Sequence, residues 1–223
     1  MRRRSVHGII EHTSEFVHIE FPNPLRVLSS APYNGGMINA DHLLILKVRD
    51  NFDGTKGPFE PLTVTFKNYC HQRKWPGVCV GMMTSAQMTS FRKARRSARG
   101  VEISVLVTAG ISNARRAGDQ AEYRAFDQVG IKPGTINIII LTNAILTEAA
   151  QVEAVMVVTE AKTGVLQDLS VISPVSGKTA TGTGTDAVAV VSGSASPEIR
   201  YCGKHTLFGD LLASATKDAL SSS

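Results

Sequence analysis

The sequence predicts a mixed α/β protein of the α+β kind, folded as a single compact domain with helices flanking a mixed β-sheet. Residues 101–108 and 135–141 are β-branched apolar runs of strand length, bounded by glycine and proline, and read as buried strands. From Thr147 onward the residues recur at helical steps. Before residue 78 the chain is dominated by short alternating segments, so the N-terminal half is read as strand-rich. The 223 residues, 43% hydrophobic and 19% charged, are enough for one substantial core and far from a disordered composition.

In chain order, residues 6–21 alternate around Thr13-Ser14 and predict a hairpin, and residues 25–29 continue as a strand. Pro32-Tyr33-Asn34-Gly35-Gly36 is a turn where Gly35 and Gly36 would let a ligand approach the backbone. Residues 50–76, broken by Gly and Pro, read as an irregular excursion holding a short strand at 62–66. Residues 78–83 read as a buried strand, Thr84 or Ser85 as a helix cap, and 86–97 as a helix rich in Ala, Lys and Arg. The stripe Ala149, Val152, Met156, Thr159, Thr163 and Leu166 is taken as the inward face of a helix running to about Asp168. A loop at 173–178, a strand at 181–191, a helix at 204–220 and a frayed tail at 221–223 complete the chain. The whole of 1–223 is read as one domain, with 1–20 and 50–76 the least patterned parts.

The formal charge of +5 is local, drawn largely from Arg2, Arg3, Arg4 and the cluster from Arg92 to Arg99. With no nucleic-acid motif beside it, the cluster reads as a solvated face and no nucleic-acid partner is expected. Cys70, Cys79 and Cys202 form no Cys-x-x-Cys pair and leave one thiol over, which suits a reducing compartment and a cytoplasmic protein. His7, Glu11, His12 and Glu15 interrupt any leader after the basic start, and no run is long enough to span a bilayer. A homo-oligomer stays open.

Ser176-Gly177-Lys178-Thr179 imitates the end of a phosphate-binding loop, but Ile172 stands where its first glycine belongs. Thr181-Gly182-Thr183-Gly184-Thr185-Asp186 admits two readings: a glycine-weakened strand, or a wall presenting the hydroxyls of Thr181, Thr183 and Thr185 to a large ligand. Glu160 and Lys162, two residues apart on a helix and so roughly 200° apart, cannot share one substrate atom. Asn113 follows a buried strand, where ligand-contacting loops lie, or else caps a helix. Asn143 stands in the analogous place after the next strand. His205, before the last helix, could hand a proton to a leaving amine. The histidines show no His-Glu-x-x-His spacing, so no metal is assigned, and there is no Gly-x-Ser-x-Gly elbow.

Five ordered stretches carry a family resemblance: Thr108 to Ala114, Gly134 to Ile138, Thr159 to Thr163, Ala180 to Asp186 and Gly203 to Thr206. Together, with Leu28-Ser29-Ser30-Ala31 and Asn34-Gly35-Gly36 as earlier anchors, the chain resembles the adenosylcobinamide amidohydrolases. Gly164 and Phe208 depart from the pattern, which is dense from about 78 to 215. The resemblance implies hydrolysis of adenosylcobinamide to adenosylcobyric acid and 1-amino-2-propanol, with the corrinoid as small-molecule substrate and no cofactor. In that reaction Glu160 or Asp186 would be the base, and Asn113 and Thr183 donors to the oxyanion or substrate. His205 would be the proton donor and Lys162 would hold a carbonyl. The rivals are a corrinoid-binding protein without turnover and a nucleotide-dependent transferase using the Gly-Thr-Gly-Thr segment.

Overall fold

The computed structural model describes residues 2–5, 8–48, 61–121 and 134–222. In order the elements are β1 (Arg2–Ser5), β2 (Gly8–His12), β3 (Phe16–Ser29), β4 (Gly36–Lys47), α1 (Leu62–Arg73), β5 (Cys79–Thr84), β6 (Arg92–Ala98), β7 (Val101–Gly110) and β8 (Ala114–Arg115). There follow β9 (Thr135–Thr142), β10 (Ala144–Leu146), α2 (Glu148–Asp168), β11 (Gly182–Thr183), β12 (Ala187–Val191), β13 (Ala195–Ile199) and α3 (Leu207–Ser221). The mixed α+β class stands.

Nine strands make one sheet along the path β1-β2-β3-β12-β9-β7-β6, with β4 on the free side of β3 and β5 beyond it. The pairs β4/β5 and β9/β12 are parallel and joined across α1 and α2, as parallel neighbours require a long crossover. Pairing shifts between Glu20 and Leu25 of β3, where Pro22 and Pro24 can donate no ladder hydrogen bond.

Side-chain alternation shows how the sheet curls over itself. Ile136, Ile138 and Ile140 of β9 join one core cluster with Val157, Val158, Leu212 and Ala215 of α2 and α3. Ile139 and Leu141, pointing the other way, join a second cluster with Leu43, Ile45 and Val80 of β4 and β5. Phe16, Leu44, Leu46 and Phe66 then form a third cluster beneath α1. Helices therefore cover both outer faces of a doubled β layer, and β9 is buried along its whole length.

Several expectations are corrected. Residues 62–66 begin the helix α1, not a strand; Pro61 precedes its first turn, where a missing N–H is tolerated. The 86–97 segment is not a helix but a short 3₁₀ turn, Met88–Ser90, followed by β6. There Ala94 packs on the core while Arg95 and Arg96 pair with Glu102 and Asp218, and the left-handed Arg99 and Gly100 turn the chain back into β7. Long-range pairing overrides the helix propensity of Arg, Lys and Ala. The solvated face is present, on a strand.

The α2 stripe is rotated from the expected one. Ala150, Ala154, Val157, Val158 and Val165 are buried, whereas Ala149, Val152, Met156 and Thr159 are exposed, and only Leu166 of the expected stripe lies in the core. Residues 181–191 are not one strand: β11 and β12 are separated by a turn at Gly184-Thr185. The last helix starts at Leu207, capped by the Thr206 side chain, and continues through Ser221. The hairpin around Thr13-Ser14 forms as expected from residue 8 on, with the Thr13 hydroxyl accepting from the amides of Glu15 and Phe16; residues 6 and 7 lie outside the described residues. Among the described residues no helix is long and apolar enough to cross a membrane.

Candidate active site

Because β7 and β9 are antiparallel, the end of β7 at Gly110 meets the start of β9 at Thr135. The loop after β7, the entry to β9 and the loop before β12 therefore meet at one end of the sheet, and the last turns of α2 lie over them. Between them is a cleft of about 790 Å³, within the usual range for small-molecule sites. It is lined by residues 113, 115–117 and 119–121, by Thr159, Lys162 and Thr163 of α2, and by residues 181–186.

At its base Lys162 Nζ forms an ion pair with Asp186 Oδ2, with the two side chains only 8% and 13% exposed. The 181–186 loop wraps around this carboxylate. Asp186 Oδ1 accepts from the Thr183 hydroxyl and from Ile136 N at 3.1 Å, while Oδ2 also accepts from Thr183 N at 3.1 Å. A charge withdrawn from water needs such partners, and here two come from backbone amides. Gly182 packs directly on the pair, leaving no room for a side chain.

The other threonines fasten the loop to its surroundings. Thr181 Oγ1 accepts from Ala117 N at 2.8 Å, Thr163 Oγ1 donates to the Thr181 carbonyl at 3.1 Å, and Thr135 Oγ1 donates to the Thr185 carbonyl at 2.7 Å. Thr185 Oγ1 donates to the Gly134 carbonyl at 3.3 Å. The expected alternation of three hydroxyls on one strand face does not occur, because the segment turns at Gly184-Thr185; only the Thr183 hydroxyl meets the Lys162–Asp186 pair.

Asn113 is buried in the cleft wall, with its Nδ2 toward Gly184 and its Oδ1 against Gly134. That Oδ1 has no hydrogen-bond partner among the described residues, an exposed need in an otherwise satisfied site. Gly134, at φ +119°, admits this packing; a Cβ there would collide with the Asn113 side chain. Asn113 caps no helix, since β8 follows it.

On the opposite lip, Asp119 accepts from Ser173 Oγ and from Arg116 N at 2.8 Å. Hydrogen bonds from Ser173, then Ser176, then the Arg116 amide hold its carboxyl down to about 2. Arg116 also donates to the Thr179 carbonyl at 2.9 Å. The lip is thus cationic at Arg115 and Arg116, with Asp119 fixing the turn between them and the 173–178 loop.

The structure brings Asn113, Lys162, Thr181, Thr183, Thr185 and Asp186 into this cleft and leaves Glu160, His205 and Asn143, and the turn at Gly35-Gly36, out of it. Glu160 is on the exposed side of α2, paired with Lys204, as the 200° separation from Lys162 anticipates. His205 is exposed beside Lys204, and neither it nor Glu160 lines the cleft. Asn143 is not analogous to Asn113: antiparallel pairing puts the end of β9 at the other end of the sheet. There its amide accepts from Glu102 N and donates to the Gly100 carbonyl, each at 2.8 Å. Gly35 precedes β4 and Gly36 begins it, beside the start of β12 and outside the cleft lining; Gly35 backs onto the Ala31 carbonyl, and Gly36 faces open space.

The phosphate-loop imitation at 176–179 is exposed and no helix follows it, so it lacks the amide cradle such a loop needs. Sequence reasoning missed Arg115, Arg116 and Asp119. The two arginines directly follow the Thr108–Ala114 stretch and were open to notice, whereas the bonds of Asp119 to residues more than fifty positions away leave no local signal. Among the described residues no group of three His, Cys, Asp or Glu side chains is placed to hold a metal ion.

A doubled β layer between helices, with a buried lysine–carboxylate pair, a polarised hydroxyl and an unpartnered amide in one cleft, defines an α+β protein with a site suited to acyl chemistry on a polar ligand. Comparison with known proteins gives the family: the one described as CbiZ, adenosylcobinamide amidohydrolase, matches residues 2–223, and the chain belongs to it. The chain is also 30% identical over 233 residues to the uncharacterized protein MJ1613 of Methanocaldococcus jannaschii, covering 95% of this chain and 86% of that one. The crystal structure of the PH0078 protein from Pyrococcus horikoshii OT3 aligns with 100% of this chain and 80% of its own at 12% identity, with a TM-score of 0.45, a likeness too loose to bear on function.

Proposed function

We propose that this protein hydrolyses the amide joining the aminopropanol arm of adenosylcobinamide, giving adenosylcobyric acid and 1-amino-2-propanol. The observation that carries the proposal is the buried Lys162–Asp186 pair with the Thr183 hydroxyl and the Asn113 amide beside it, in the cleft of a chain of this family.

A secondary amide offers one N–H and one carbonyl. Asn113 suits the second: its Nδ2 would donate to the carbonyl oxygen, where negative charge grows in the tetrahedral state. Lys162, held by Asp186 near the Thr183 hydroxyl, adds a positive field over the same point. The cleft would admit the side arm, with the ring at its mouth against the Arg115-Arg116 lip. Three free thiols, Cys70, Cys79 and Cys202, fit action in the reducing cytoplasm.

Purified protein incubated with adenosylcobinamide should yield equal amounts of cobyric acid and free aminopropanol by mass spectrometry. Tight corrinoid binding with no product would instead establish a carrier.

A further inference from the structure

We infer that Thr183 is a covalent nucleophile, so that hydrolysis runs through a threonyl ester of the corrinoid acid. The inference rests on the hydrolase reading above and concerns how that reaction is carried out.

An ionised carboxylate has about four lone-pair sites. All those of Asp186 are occupied: Oδ1 by the Thr183 hydroxyl and Ile136 N, Oδ2 by Lys162 Nζ and Thr183 N. No site is left for a hydrolytic water, so Asp186 cannot begin by activating one. The only proton it can take from an oxygen nucleophile is that of Thr183. Glu160, the other carboxylate considered as base, is exposed and paired with Lys204. Thr183 lines the cleft, and donation from its hydroxyl to Asp186 leaves the oxygen lone pairs for an incoming carbonyl carbon. Hydroxyl, base and a third group orienting the base form the arrangement by which weak nucleophiles are activated.

The steps balance without a co-reactant other than water. Thr183 Oγ1 bonds to the amide carbon as its proton passes to Asp186 Oδ1. The C–N bond then breaks, the nitrogen takes that proton, and aminopropanol leaves. Esterified Thr183 has no hydrogen to donate, so one lone pair of Asp186 Oδ1 becomes open. A water now binds there, gives up a proton to Asp186 and attacks the ester carbon. The C–O bond breaks, and Thr183 regains its hydrogen from Asp186. The four-donor cage thus admits water only after the amine has gone.

Wild-type protein turning over adenosylcobinamide is quenched in acid, digested and searched by mass for a corrinoid acyl group on the peptide containing Thr183. A parallel reaction contains hydroxylamine. The expected results are the Thr183 adduct and a corrinoid hydroxamate. Thr183→Ser should form both with a rate within roughly tenfold of wild type, and Thr183→Ala should form neither and lose on the order of 10³-fold in rate. The Ala variant keeps the Thr183 backbone bond to Asp186, and an unchanged melting temperature would confirm that it folds. Turnover with neither adduct nor hydroxamate, or Thr183→Ala working at the wild-type rate, overturns the nucleophile and leaves the hydrolase reading standing. Failure of the wild type to release any aminopropanol overturns both.

Discussion

Gly182 lies directly against Lys162: a Cβ added at this glycine would stand 2.9 Å from Lys162 Nζ and would overlap Asp186 Oδ2. Neither atom can withdraw freely, since Asp186 is pinned by two backbone amides and Lys162 is buried. Gly182→Ala should therefore lower stability by about 1–3 kcal/mol, roughly 2–12 °C in melting temperature for a chain of this size. Aminopropanol release should fall with it, whereas Gly164→Ala, on a glycine with open space around it, should leave the rate unchanged.

Removing the lysine leaves a buried carboxylate unpaired. Lys162→Met should destabilise the protein by about 3–5 kcal/mol, and adding Asp186→Asn should recover part of that loss. Chemical denaturation of the two single variants and the double variant, read as a double-mutant cycle, gives the coupling directly.

The fold was more legible than the site. Apolar β-branched runs identify β7 and β9, and Thr147 marks the start of α2, because these signals are local. The strand β6 was not legible, since Arg92 to Ala98 is good helix composition and only pairing with β7 makes it a strand. Residues 36–47, β4, carried an apolar run in Leu43-Leu44-Ile45-Leu46 that could have been recognised as a buried strand. In α2, Val152 and Met156 are apolar yet exposed, so periodicity points to a stripe rotated from the one that is buried. In the site, the sequence points to both Asp186 and Lys162, but as a base and a separate substrate contact. Their pairing depends on the chain turning at Gly184-Thr185, which strand alternation cannot reveal.

Asn113 separates binding from stability. Its Oδ1 is buried and unpartnered, so Asn113→Ala removes an unsatisfied group and should change the melting temperature by only about 1–3 °C. Turnover should nevertheless fall on the order of 10²-fold, as for loss of one donor to a developing oxyanion. Thermal melts and initial rates on the same preparation provide the comparison.

Asp119 predicts a pH effect at the lip of the cleft. Its carboxyl titrates at about 2 when folded, against about 3.9 in an unfolded chain, so the stabilisation it gives is complete above about pH 4. It is lost as the pH falls toward 2. The part of the stability difference between wild type and Asp119→Asn that comes from the charge should therefore be nearly constant from neutral pH down to about 4 and fade as the pH drops through about 2, as followed by denaturant titration at each pH.

Asp186, and not Glu160, the other carboxylate on offer, is the proposed seat of the chemistry. Steady-state release of aminopropanol from adenosylcobinamide by Asp186→Asn and Glu160→Gln, measured side by side, tests it most directly. A loss of at least roughly 10²-fold in the first with the second near wild type is the expected result. Near-normal turnover in Asp186→Asn, or a loss confined to Glu160→Gln, would place the reaction outside this cleft.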